Sequence, residues 1–308
     1  MKSLIEINGK IKNIYIYNNN YVNYLPDDLY TILELENKDN IKNTSIIKNF
    51  ISKIFINRNN KILLKSLMLI KKEDYKKAEK HIEQYIEKNI NNADAIFLLS
   101  LLKDDTNIKK NLIEELSQNI DNYGNFFNKY NIGISLQIKV YDDLYIHINN
   151  DKNGIIIYLS LNYLLLHKYT KGIEFIRNNF QEDNLLVKLI LAKLQMGLNN
   201  HDQAILLFQD IVEKSPDNSP IYFYSSILMG KALRKDGMLK ASISILRKAR
   251  RNSKNLAKSL SLESTYQLAI SLDKYGRTNL AKKEYQKILA ICYEYKDVIK
   301  RINKLNNI

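Results

Sequence analysis

Catalysis near neutral pH needs titratable groups placed in concert, and this sequence offers few such placements. Asp143 and His147 stand four residues apart, a spacing that on a helix sets a carboxylate beside an imidazole. No nucleophile or third partner accompanies them, so they read as a surface pair or a cap. His81, His167 and His201 fall at no metal-ligand spacing. Asp27-Asp28, Asp104-Asp105 and Glu114-Glu115 read as helix starts and solvated faces. Cys292, the single cysteine, follows an apolar helix end and reads as a buried, inert thiol, and alone it excludes an intramolecular disulfide or a multi-thiolate metal site. The Gly-rich phosphate loop, the Cys pair and the His-Glu-x-x-His helix are all missing from the sequence. We therefore expect a non-enzyme with no metal and no cofactor.

The remaining chemistry is charge. The 308 residues carry a formal net charge of +14, but 39 Lys against 8 Arg, together with 39 Asn, 44 Ile and 12 Ala, have the profile of AT-rich codon drift. Lysine excess alone is weak evidence for a polyanionic partner. Location says more: residues 217–308 hold 19 Lys and Arg against 7 Asp and Glu, whereas residues 1–216 are nearly balanced. A field localised in this way can be a binding surface.

The elements that must position these residues are mostly helices. Three Pro and nine Gly leave little punctuation for an all-β or Gly-loop fold, so the class is all-α. Residues 3–17 are the exception, reading as a β-hairpin on an Asn8-Gly9 turn. Pro26-Asp27-Asp28 then starts a helix over 29–36, and Asn43-Thr44-Ser45 caps a second one over 46–54. Residues 1–58 thus form a small N-terminal segment ahead of a long helical part, 59–308. The N-terminus lacks an export signal, no run is long enough to span a bilayer, and the chain reads as cytoplasmic.

Within 59–308 a frame repeats. Small residues twelve apart recur as Ser66 and Ala78, Ser160 and Gly172, Ala192 and Ala204, Gly230 and Ser242, and Ala269 and Ala281, with Ser100 and Leu112 as a degenerate copy. Large apolar residues follow the second member by four and seven, as in Phe208 and Ile211 or Tyr285 and Ile288. The first members are spaced by 34, 60, 32, 38 and 39 residues. The gap of 60 holds one copy plus an insertion, and residues 126–147 read as helical enough to be an eroded repeat. A small residue on each of two successive helices lets them approach closely, and each pair buries its other apolar side by stacking on the next.

This pattern resembles the tetratricopeptide repeat family, with Leu191-Ala192, Ala204, Phe208 and Pro216 in the best copy and Leu268-Ala269, Tyr275-Gly276, Ala281 and Tyr285 in the last. The chain departs from it in having no Trp and a single terminal Pro. The resemblance implies a right-handed superhelical solenoid with a capping helix over 297–305, acting as a scaffold whose concave groove receives a peptide or helix of a partner protein. It places Lys193, Met196, Lys231, Arg234, Lys235, Ile270 and Asp273 on that groove, a basic lining suited to an acidic segment. The carboxylate clamp of chaperone-binding members has no counterpart, since Leu189, Ile227 and Tyr266 hold its places. On the convex side Lys240, Arg247, Arg250, Arg251, Lys254 and Lys258 form a basic stripe along one second helix. That stripe supports the alternative of a helical-repeat nucleic-acid binder, which is not favoured over the scaffold.

Overall fold

Small residues at fixed places decide how the helices pair. The computed structural model describes residues 11–18, 33–35, 58–130, 132–141, 144–180, 183–217, 219–252 and 258–306. Among these are six helix-turn-helix pairs: α1 (Arg58–Lys71) with α2 (Tyr75–Ile86), α3 (Ala93–Leu102) with α4 (Thr106–Gln118), then, after the short α5 (Asn125–Lys129), α6 (Lys152–Leu165) with α7 (Tyr169–Asn179), α8 (Leu185–Gly197) with α9 (His201–Lys214), α10 (Pro220–Lys235) with α11 (Leu239–Asn252), and α12 (Lys258–Lys274) with α13 (Thr278–Leu289). A final helix, α14 (Val298–Asn306), caps the stack.

Every member of the twelve-residue frame is buried, one on the first helix of each pair and one on the second. The fifth pair shows why these residues are small. A Cβ on Gly230 would stand 2.5 Å from Leu246 Cγ, and the Ser242 hydroxyl donates to the Gly230 carbonyl at 2.7 Å. The large followers Ile82, Tyr85, Ile176, Phe208, Ile211, Leu246, Tyr285 and Ile288 fill the core between pairs. Caps mark several helix starts: Asp105 accepts from the Asn107 and Ile108 amides, Asn184 from Leu186 and Val187, and Ser219 precedes Pro220 at the start of α10.

The insertion is not an eroded repeat. Residues 126–147 contain part of α5 and then an antiparallel hairpin, β3 (Ile132–Tyr141) and β4 (Leu144–Asn149). His147 lies on that hairpin rather than on a helix, so the helical i, i+4 spacing does not apply to it, and Asp143 lies outside the described residues. Ile132, Ile134, Leu136 and Ile138 alternate at a period of two and are all buried, as are Ile146 and Ile148. Two N-terminal strands extend the sheet. The first, β1 (Ile11–Asn18), pairs antiparallel with β3, setting Ile14 opposite Leu136, and β2 (Leu33–Leu35) pairs antiparallel with β4, setting Leu33 opposite Ile146. The order is β1-β3-β4-β2.

The expected partner of residues 11–17 within a hairpin, the Asn8-Gly9 turn and the helix over 46–54 all lie outside the described residues. Within the expected helix over 29–36, residues 33–35 form a strand, because a free hydrogen-bonding edge on β4 outweighs a weak local preference.

The sheet touches first helices: β1 lies beside α1, β4 beside α6 and β2 beside α10. The resemblance places first helices on the inner side of the stack, and the sheet lies against those of the first, third and fifth pairs. Its apolar side joins the helices in one core. The solenoid nevertheless continues past the insertion, since Tyr163 on α6 donates to Ser117 on α4 at 2.9 Å and Lys168 pairs with Glu114. Glu114 therefore fastens two pairs together rather than facing solvent alone. Two joints hold the insertion. Asn150 behaves as an extra strand residue, accepting from Ile134 N at 2.8 Å and donating to Ile132 O at 3.1 Å. Asp94 on α3 accepts from the Gly124 and Phe126 amides at 2.7 and 2.8 Å, fixing the turn that presents Phe127 to Phe97 and packs Phe126 against Phe127.

Two stability measurements follow from this packing. Gly230→Ala should lower the urea-unfolding free energy by about 1–3 kcal/mol through overpacking against Leu246, despite the ~1 kcal/mol that Ala gains over Gly in a helix. A raised midpoint would show that α10 and α11 have room to part. For Asp94, burial pushes the carboxyl up to about 6, against the pull of the Phe126 and Gly124 amides. The folded chain therefore binds a proton that the unfolded chain has lost between pH ~4 and ~6, so this group's contribution to stability is present below that window and is lost as pH rises through it. Measured relative to Asp94→Asn, the wild type should be more stable at pH 4.5 than at pH 7 by about 2 kcal/mol. Parallel pH profiles of the two proteins would contradict this.

Candidate functional site

The inner faces of α8, α10 and α12 carry an unusual number of polar groups for packed helices. Lys193 on α8 is 9% exposed, and its ammonium donates to the Tyr224 hydroxyl on α10 at 3.2 Å while lying 5.7 Å from that ring's centre. Arg234, one helical turn beyond Gly230, is 7% exposed. Its guanidinium donates to the Gln267 carbonyl and the Ser271 hydroxyl, both at 3.1 Å, and to Gln267 Oε1 at 2.6 Å. Ser271 shares a hydrogen bond of 2.9 Å with Ser242. The small-residue contact of the fifth pair is thereby tied to the sixth pair.

Glu263 on α12 is the hub. It is 2% exposed, accepts from Gln267 Nε2 at 2.8 Å and from the Tyr295 hydroxyl at 2.7 Å, and forms an ion pair with Lys296. The Lys296 ammonium sits 4.5 Å from the Tyr266 ring centre and 5.1 Å from that of Tyr295, so the loop before α14 is pinned into the inner face. Tyr266 in turn donates to Asp297, which Arg301 of the cap also holds at 3.0 Å.

Lys296 thus pairs with the buried Glu263 carboxylate, and the Glu263 charge also acts on Lys231 and Arg234. Burial pulls Arg234 down to about 10. Burial also holds the Lys231 ammonium below the usual lysine value, with repulsion from Arg234, Lys296 and Lys235 adding to it against the pull of Glu263. Burial raises the Tyr224 phenol, and the Glu263 charge raises it further.

Of the expected groove residues, the structure draws Lys193 and Arg234 into this packed network, where their donors serve neighbouring helices. Lys231 and Asp273 are half-buried and Lys235 is exposed. Met196 and Ile270 are half-buried and pack against the core. Unlike Lys193 and Arg234, half-buried Lys231 has neither a hydrogen bond nor an ion pair among the described residues, and neither has exposed Lys235. The repeat pattern does not single out Tyr224, Glu263, Gln267, Tyr295 or Lys296, all of which take part in the network. One signal for Glu263 was available: it is the only charge between residues 259 and 272, a stretch otherwise fit for burial.

The outer stripe is also rearranged. Lys240, Arg247 and Arg251 are exposed on α11, but Arg250 is half-buried against Glu284 of α13. Lys258 opens α12 and so is on the next helix, because α11 ends at Asn252, and Lys254 is outside the described residues. Elsewhere, His167 bonds Tyr169 at 2.6 Å and Cys292 is half-buried against the C-terminal cluster. Among the described residues no group of three or more His, Cys, Asp or Glu is placed to hold a metal, and no helix is long and apolar enough to cross a membrane.

No family model matches the sequence, and no curated protein matches it. Solved structures do match its shape. The N-terminal domain of the EccA1 ATPase from the ESX-1 secretion system of Mycobacterium tuberculosis superposes with a TM-score of 0.61 at 12% identity, covering 80% of this chain and 88% of that one. PilW, a widely conserved type IV pilus biogenesis factor, superposes with a TM-score of 0.52 at 9% identity, covering 80% of this chain and 99% of that one. The fold is a helical-repeat solenoid like theirs. At these identities the likeness speaks for the fold alone.

The hub is open to a double-mutant cycle. Glu263→Gln leaves Lys296 buried without its counter-charge and should cost about 3–5 kcal/mol, whereas Glu263→Gln combined with Lys296→Met should recover most of that loss. Additive losses would show that the two side chains act independently.

Proposed function

We propose that the protein is a non-enzymatic interaction scaffold that holds an acidic segment of a partner protein, extended or helical, against the C-terminal end of its inner face. Lys231 is the observation that carries this reading. It lies one residue after the small Gly230 on the inner helix α10, half-buried among Arg234, Lys235 and Lys296, and it has neither a hydrogen bond nor an ion pair among the described residues. A cation held in that way is stabilised by any carboxylate brought to it. The exposed Lys235 adds a second cation beside it, and in this reading Asp273 and Met196 complete the lining, Met196 as an adaptable apolar contact. Arg234 and Lys193 support the site from beneath, through Gln267 and Tyr224, rather than touching the ligand.

The sheet bears on which part of the face takes the partner. It lies against α1, α6 and α10, the first helices of the first, third and fifth pairs, and its main contacts stop short of α12. The α10–α12 end keeps its charged lip.

Affinity capture on tagged wild-type protein, run with nuclease, should yield discrete proteins that are lost from a Lys231→Glu/Lys235→Glu variant and retained by an Arg247→Glu/Arg251→Glu variant. Equal capture by all three would remove the inner face from consideration.

A further inference from the structure

A second surface, on the opposite side of the stack, has a composition that the inner face does not explain. Helices α11, α13 and α14 together hold eleven Lys and Arg and a single carboxylate, Glu284. That carboxylate is already taken twice, by Arg250 and by Lys287 at 2.9 Å. Lys240, Arg247 and Arg251 are exposed, and none has a hydrogen bond or ion pair among the described residues. At 3.6 residues per turn they lie within about 40° of one another, spaced by about 10 and 6 Å along the helix. Lys283 on α13 and Lys300 and Lys304 on α14 are also exposed.

Codon drift does not account for this face. It raises lysine along the whole chain, yet in earlier pairs several cations are matched by acids: Lys103 with Glu79 and Glu83, Lys168 with Glu114, Lys188 and Lys214 with Asp183 and Asp210. What changes after residue 217 is the loss of acidic residues and the appearance of arginine, six of the eight in the chain. Neither follows from a bias toward lysine, asparagine and isoleucine.

We infer that the outer face of α11, α13 and α14 binds the phosphate backbone of a nucleic acid, without base readout. Two features favour phosphate over an acidic protein. The exposed large apolar side chains at this end, Met238, Ile291 and Tyr293, lie in the connections, so the helical face lacks the buried aromatic or aliphatic anchor on which protein interfaces depend. A phosphate track needs only spaced cations. At about 3.4 Å of axial rise per phosphate, the ~16 Å from Lys240 to Arg251 spans about five phosphates of one strand.

The test is fluorescence anisotropy with a fluorescein-labelled 20-nucleotide single-stranded RNA and, separately, a 20-base-pair DNA duplex, from 50 to 200 mM NaCl, with unlabelled hexaglutamate peptide as competitor. The wild type should bind at least one of the two, and the comparison identifies which nucleic acid fits the face. Each phosphate neutralised should add about −0.9 to the slope of log K against log salt on a duplex and about −0.7 on a single strand. Arg247→Glu/Arg251→Glu, both exposed and without structural partners, should weaken binding at least tenfold and flatten the slope by about two contacts. Lys231→Glu/Lys235→Glu should bind as the wild type does. The inference is overturned by no binding at 50 mM salt, by equal loss in both variants, or by hexaglutamate competing as well as unlabelled nucleic acid at equal charge. None of these outcomes bears on the inner-face reading, which the other variant tests.

Discussion

The distance between the two helices of a pair is the constraint on which the rest of this molecule depends. It is set where side chains are nearly absent, at Gly230 against Leu246, at Ala192 with Ala204, and at Ala269 with Ala281, and it is invariant enough that the frame recurs six times. Once that spacing is fixed, the large residues four and seven places on have only one place to go, which is between pairs. Stacking is then a consequence of geometry rather than of any long-range pairing code. Even the degenerate pair obeys: Leu112 replaces the second small residue, and the Ser100 hydroxyl reaches Tyr158 of α6 at 2.9 Å across the place where the insertion leaves the stack.

That dependence explains what could be read in the sequence. Helix pairs, their small contacts and the capping helix were legible because each is written in residues a fixed short distance apart. The sheet was not, because its pairing is not local. Ile132, Ile134, Leu136 and Ile138 alternate plainly enough for a strand, but their partner Ile11–Asn18 lies more than a hundred residues earlier, and no spacing rule connects the two. Lys258 was misplaced for a simpler reason: the end of α11 has neither Gly nor Pro to announce it, and the basic run continues past the helix.

Charge was the less legible half. Lysine and arginine at helical spacing indicate a face but not whether that face has been paired. Arg234 and Arg247 look alike in sequence; one is locked to Gln267 and Ser271 inside the stack and the other stands in solvent. The deciding residues belong to other helices, Glu263 and Glu284 above all, and each neutralises its cation only after the pairs have stacked. The inner and outer faces of the last two pairs therefore differ in kind. Among the described residues the inner one is a compact hydrogen-bonded network beside which Lys231 stands half-buried without a partner, and the outer one is an open row whose one helical carboxylate, Glu284, is already engaged.

The four-stranded sheet also changes what kind of polymer the solenoid is. A stack of helix pairs in which each touches only its neighbours can fray from either end and lengthen like a spring. Here β1 and β2 fasten the N-terminal segment to a hairpin in the middle, while β1 rests on α1 and β2 rests on α10. Closing those loops costs chain entropy that local helix pairing never pays, which makes the search for the native state slower and its completion more nearly all-or-none. Under tension, the first five pairs would yield as a block held by a crossbar, and the last pair with its cap would be the part free to give.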